Sequence, residues 1–173
     1  MRLPAKLILS ICLALSLVGC RNTSPPKLIA DKDTSISLSR GPCYGTCPTY
    51  TVTIKGDGTF TLVGTKFSVS HDTSSPRQEV KGQGSISQDQ LRDLVAEFER
   101  LNYFSLDGKY TTQGSDCPSY STDASTAITS IQINGRSKSV SHYLGCSGTD
   151  TLHSLSDLEN RIDKVANTEQ WLK

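Results

Sequence analysis

The sequence predicts an α+β fold: a two-layer sandwich of a mainly antiparallel sheet with two amphipathic helices on one face, in the order strands, helix, strands, helix. Three observations predict it. Period-two alternation of apolar and polar residues recurs in two blocks, residues 35–62 and 127–143. Such alternation marks strands buried on one face only. Each block contains a hairpin signal, Gly56-Asp57-Gly58 in the first and Asn134-Gly135 in the second, and links that short impose antiparallel pairing. A helical stripe follows each block: Leu91, Leu94, Val95, Phe98 and Leu101, then Leu152, Leu155, Leu158, Ile162 and Val165. One apolar face per strand and one stripe per helix are satisfied together when both helices cover one side of the sheet.

Ahead of the domain, residues 1–19 read as a signal peptide. Arg2 and Lys6 supply a basic start, and residues 7–18 form an apolar run shorter than the ~20 residues a spanning helix needs. The run ends in Leu17-Val18-Gly19-Cys20, which resembles the lipobox of bacterial lipoproteins. That resemblance implies a lipid on the Cys20 sulfur, cleavage before it, and a membrane anchor at the new N-terminus. Arg21, where an Asp would retain such a protein at the inner membrane, implies the outer membrane, facing the periplasm. Residues 20–33, with Ser24-Pro25-Pro26 and mixed charges, read as a flexible tether to a single domain over 34–173. Asp31 and Asp33 lack the glycine and closing glutamate of a calcium loop.

Within the domain, Ile36 and Leu38 share one face of the first strand. Tyr50, Val52 and Ile54 share that of the second, and Phe60 and Leu62 follow the turn. Residues 66–70 continue this strand or start another, and 72–77 form a polar loop. Residues 78–84 read as a weak, glycine-interrupted strand near a sheet edge. Ser87 with Gln90 is a capping box, and Ile86 can staple on Leu91. Asn102-Tyr103-Phe104 gives the helix an aromatic exit. Residues 108–123 are irregular and polar. In the second hairpin Val140 falls on the face of Ile131 and Ile133. Thr149 or Asp150 can cap the second helix, and Trp171 packs on the sheet or a helix end.

Composition excludes several functions. Removing Arg2 and Lys6 leaves 16 basic against 17 acidic residues, so no long-range field attracts nucleic acid, and no basic patch is interleaved with aromatics. His71, His142 and His153 share no metal-ligand spacing, and Gly82-Gln83-Gly84 lacks the third glycine and the βαβ setting of a dinucleotide loop. No Gly-x-Ser-x-Gly elbow occurs. Asp116, Asp123 and Asp150 sit in loops without a visible acid–base partner. No catalytic residue, metal ligand or cofactor is expected.

The informative stretch is Arg40-Gly41-Pro42-Cys43-Tyr44-Gly45-Thr46-Cys47-Pro48-Thr49-Tyr50. With Cys12 in the leader and Cys20 acylated, Cys43, Cys47, Cys117 and Cys146 remain, an even count that reads as disulfides in an exported domain. Sequence alone allows three connectivities. Cys43 with Cys47 and Cys117 with Cys146 are favoured, because the second hairpin can bring the latter two together. The spacing of Cys43 and Cys47, followed by Pro48, also resembles that of copper chaperones on a thioredoxin-like fold, with His142 as a further ligand. The alternative function is therefore an envelope thiol-redox or copper-handling protein. Such sites open a helix, whereas residues 49–54 alternate as a strand. The exposed tip Tyr44, Gly45 and Thr46 is the first place to look for a partner, an envelope protein or a small ligand.

The same stretch, with Val52-x-Ile54 and Gly56-Asp57-Gly58, resembles the opening of the bacterial domain-of-unknown-function family 6438. Residues 94–104, Tyr110, Asp116-x-Pro118, Leu158-Glu159-x-x-Ile162-Asp163 and Trp171 resemble it too. Against its pattern Cys117 and Cys146 look like an addition, which implies that Cys43 and Cys47 form a self-contained pair. The resemblance implies no activity and carries over no catalytic residue. The expected role is a lipid-anchored, non-enzymatic binding or structural domain of the cell envelope.

Overall fold

The computed structural model describes residues 27–68 and 72–173. The signal peptide 1–19, Cys20, the first part of the tether, and His71 lie outside the described residues. The architecture is α+β, built on a seven-stranded mixed sheet beside a two-stranded one. β1 (Ser35–Arg40), β2 (Thr49–Lys55), β3 (Thr59–Phe67) and β4 (Arg77–Ser85) form an antiparallel meander. β1 also pairs antiparallel with β7 (Thr126–Ile133), which forms the second hairpin with β8 (Arg136–Tyr143). The short β5 (Lys109–Tyr110) closes the far edge, parallel to β8. The sheet order is β4-β3-β2-β1-β7-β8-β5.

α1 (Gln88–Arg100) and the residues after it carry the chain from the β4 edge to the β5 edge. Its N-terminus is fixed by the capping box: the Ser87 hydroxyl accepts from the Gln90 amide, and the Gln90 side chain accepts from the Ser87 amide. α2 (Asp150–Val165) is capped by Thr149, whose hydroxyl accepts from the Leu152 amide. Ile36, Leu38, Val52, Ile54 and Leu62 from the sheet join Leu91, Leu94 and Phe98 of α1 and Leu155 and Ile162 of α2 in one core, each fully buried. Tyr103 lies in it too, its phenol donating to the Thr129 carbonyl at 2.6 Å. The opposite sheet face carries Ser35, Ser37, Ser39, Thr49, Thr51, Thr53, Thr61, Ser130 and Ser139, with Val63 and Ile128 among them.

Two features differ from the sequence reading. A short helix, α3 (Glu169–Leu172), ends the chain. It places Trp171 against Gly82 of β4 and edge-on to Phe60, with ring centroids 5.7 Å apart. A Cβ on Gly82 would stand 2.6 Å from the indole, so the strand needs glycine there to accept the ring. The tether also ends earlier than residue 33. Leu28 is buried in the core, and its amide donates to Glu99. The Asn134 side chain bonds both the amide and the carbonyl of Ile29. Gly56 donates to the Thr34 carbonyl at 2.8 Å. Residues 28–34 thus lie against the end of the sheet that carries the two hairpin turns.

Candidate functional site

Arg40 and Tyr50 face each other across β1 and β2, at the two mouths of the signature loop. Pairing Arg40 with Tyr50 leaves residues 41–49 to bulge from the sheet end, and a bond between Cys43 and Cys47 closes the bulge, their Cα atoms 5.7 Å apart. Backbone bonds seat this loop on its neighbour: Gly41 donates to the Thr126 carbonyl at 2.8 Å and Tyr44 to that of Asp123 at 3.1 Å. The Ser125 hydroxyl donates to the Gly41 carbonyl at 2.6 Å. The neighbouring loop is itself held by the pair Cys117 and Cys146, both buried, with Cα atoms 5.0 Å apart. Beside it, β6 (Ser119–Tyr120) pairs with β9 (Cys146–Ser147), the rings of Tyr120 and Tyr143 lie 5.2 Å apart, and the Tyr143 phenol oxygen accepts from the Ala124 amide. Both cysteine pairs therefore fix the same end of the sheet, opposite the docked N-terminal segment. This is the pairing that hairpin placement favoured.

At that end the Tyr44 side chain stands in solvent, 88% exposed, while Gly45 and Thr46 are half-buried. On the open sheet face at the foot of the loop lies a shallow depression of about 330 Å³, bounded by Ser39, Gly41, Thr49, Thr51, Val63 and Ile128.

Beneath the loop, on the helix side, lies a charged network. Arg40 continues the buried register of Ile36 and Leu38, so its guanidinium is directed at α2. Its Nε and Nη2 donate to Asp163 Oδ2 at 3.2 and 2.9 Å, and Nη2 also reaches Asn160 Oδ1 at 3.3 Å. Nη1 donates to Glu159 Oε2 at 3.3 Å. The other Asp163 oxygen accepts from the Tyr50 phenol at 2.7 Å and from Thr168 at 3.0 Å. Glu159 Oε1 lies 3.0 Å from His142 Nδ1, which donates to it when the ring carries its proton on that nitrogen. Burial opposes the Arg40 charge, but the Asp163 and Glu159 carboxylates outweigh it and the guanidinium pKa is raised. Burial, then the Asp163 charge, pushes the Tyr50 phenol up to about 12.

This network has the residue types of an acid–base centre without access. The His142 and Glu159 side chains are each 1% exposed, and the Asp163 oxygens are taken up by Arg40, Tyr50 and Thr168. Its evident effect is to clamp α2 and the residues after it to the mouths of the signature loop. His142, considered as a copper ligand, is directed at Glu159 inside the core. No group of three His, Cys, Asp or Glu side chains able to hold a metal occurs among the described residues. His153 is exposed beside Asp157 on α2, and Asp116 and Asp123 are exposed in loops. Asp150, expected in a loop, is instead the exposed first residue of α2.

Sequence reasoning quoted Arg40, Tyr50, Glu159 and Asp163 as pattern and missed their contact. A signal was present. Arg40 and Glu159 each occupy a core-facing position of an otherwise apolar register, and a buried charge demands a partner. The sequence profile described as "Domain of unknown function (DUF6438)" matches residues 34–166. The chain belongs to this family. The four clamp residues all fall inside the matched stretch. No curated protein matches the chain.

Proposed function

We propose that this member of the family is a lipid-anchored, non-enzymatic binding domain of the bacterial envelope, and that it meets its partner through the signature loop. The observation that carries the reading is Tyr44, 88% exposed on a loop closed by a disulfide and bonded to its neighbour. A bond between Cys43 and Cys47, the Tyr44 amide bond to Asp123 and the Arg40 clamp below fix its backbone. Tyrosine on a rigid support is the chemistry of a binding anchor: a large amphipathic ring is buried at small entropic cost. Tyr120 adds a second half-exposed ring on the adjoining loop, and the depression beside Val63 and Ile128 supplies an apolar floor.

Anchoring through Cys20 rests on the lipobox resemblance and is tested separately. Palmitate label should enter the whole chain and be absent from Cys20→Ala; equal labelling would defeat it. The binding surface is tested in the native envelope with a photo-reactive residue in place of Tyr44. A discrete adduct is expected there and not at Arg92, exposed on α1, and it should fade when both Cys43 and Cys47 are changed to Ser. Equal adducts at both positions, or none at Tyr44, would refute the reading. The redox and copper alternative predicts instead that reduced protein binds Cu(I) more tightly than the Cys43→Ser/Cys47→Ser variant.

A further inference from the structure

We propose that the chain pairs with a second copy of itself along β4, joining two sheets edge to edge about a two-fold axis at Val80. β4 is an outer strand, and no strand among the described residues occupies its free side. It runs for nine residues, long for an edge that folded proteins usually shorten or cover. The inference rests on this edge alone and is independent of the signature loop.

The pairing with β3 decides which backbone groups face outward. Ser68 donates to the Pro76 carbonyl and Ile86 to that of Gly58, and both pairs continue the β3–β4 register. Antiparallel pairs alternate between bonded and non-bonded. Val80 and its even-numbered neighbours therefore turn their N–H and C=O groups to β3. Arg77, Glu79, Lys81 and Gln83 turn theirs to the open edge, and an antiparallel second strand can bond only to these.

Charge then selects the register. Centred on Glu79, the two copies would set carboxylate opposite carboxylate. Centred on Lys81, they would set ammonium opposite ammonium. A centre at Gly82 pairs no charges, and one at Gln78 keeps only three residues of each strand in the ladder. Centred on Val80, Glu79 faces Lys81 of the second copy and Lys81 faces its Glu79, so one match is made twice. Charges on an edge strand ordinarily deter pairing; here they deter the adjacent registers and favour this one. Glu79 and Lys81 now touch each other at 3.2 Å, with side chains 79% and 75% exposed, and are free to exchange partners. The Val80 side chain lies on the helix side near the half-exposed Trp171 and Leu172. At a non-bonded antiparallel pair the side chains approach closely, so Val80 of one copy meets Val80 of the other beside these residues.

The test uses the full-length chain in detergent, followed by sedimentation velocity. The unmodified chain should dimerise reversibly with concentration. Lys81→Glu, which sets carboxylates opposite each other twice, should weaken the dimer by about tenfold or more in Kd. The exchanged variant Glu79→Lys/Lys81→Glu should recover it. In membranes, co-expressed and differently tagged Glu79→Cys and Lys81→Cys chains should form a mixed disulfide dimer, since bonded opposite residues lie about 5.5 Å apart. Either chain alone should not, because like residues then sit diagonally, beyond about 7 Å. Both side chains are exposed, so the fold is unaffected. A chain that stays monomeric, an exchanged variant that fails to recover, or cross-linking of either variant alone as efficient as the mixed pair would overturn the proposal.

Discussion

Arg40→Ala is the most informative perturbation of this fold. The Arg40 side chain is 13% exposed, and its partners Glu159 and Asp163 are 1% and 21% exposed. Removing the cation leaves one carboxylate wholly buried and another largely so, each still held by its remaining donors. Breaking a buried pair from one side costs about 3–5 kcal/mol, mostly as the penalty of the orphaned charge. For a domain of this size that is a fall in Tm of about 6–20 °C. The assay is thermal unfolding by circular dichroism at pH 7. Glu159→Gln in the Arg40→Ala background removes the wholly buried orphaned charge and should restore part of the loss. A cost below about 1 kcal/mol would class Arg40 with solvent-screened ion pairs. That result, or no recovery in the Glu159→Gln double variant, would refute the clamp.

Three further outcomes are expected. Tyr50 has its folded pKa raised to about 12 from an unfolded value of 10.0. Its contribution is therefore complete below pH 10 and lost as pH rises toward 12. Tyr50→Phe should lose at most about 2 kcal/mol at pH 8 after allowing for solvent screening, and should show a flatter stability profile between pH 10 and 12 in denaturant titrations. Gly56→Ala would place a Cβ 1.7 Å from the Asp31 carbonyl oxygen; it should release residues 28–34 and expose them to limited proteolysis while leaving the sheet folded. Replacing Cys117 and Cys146 by Ser should cost about 3.5 kcal/mol, and replacing Cys43 and Cys47 about 2 kcal/mol, because the longer loop loses more closure entropy. Urea midpoints of the two double variants would check that order.

What the sequence made legible was local. The capping box at Ser87, the Asn134-Gly135 turn and the alternation around Ile36, Leu38, Val52 and Ile54 are each decided by residues within a few positions of one another. The docking of Leu28 is not, because Glu99 and Asn134, which hold it and Ile29, lie 71 and 105 positions away. The short strands β5, β6 and β9 have two residues each, too few to carry a period, and they arise from the crossover of α1 and the Cys117 and Cys146 pairing. The clamp lies between these cases. Its members could be suspected from charges at core-facing positions, but which cation meets which carboxylate depends on how α2 crosses the sheet.

The early docking of the chain has a consequence for the proposed anchoring. In the proposed acylated form, Cys20 and the first docked residue Leu28 are eight residues apart. Eight residues span at most about 29 Å even when fully extended. The hairpin-turn end of the sheet would thus be kept close over the lipid headgroups. β1, six residues long, extends about 20 Å away from it, and the signature loop caps that far end. Under the proposed anchoring, a span that short would set a direction as well as a location, turning Tyr44 away from the lipid and toward whatever occupies the space beyond.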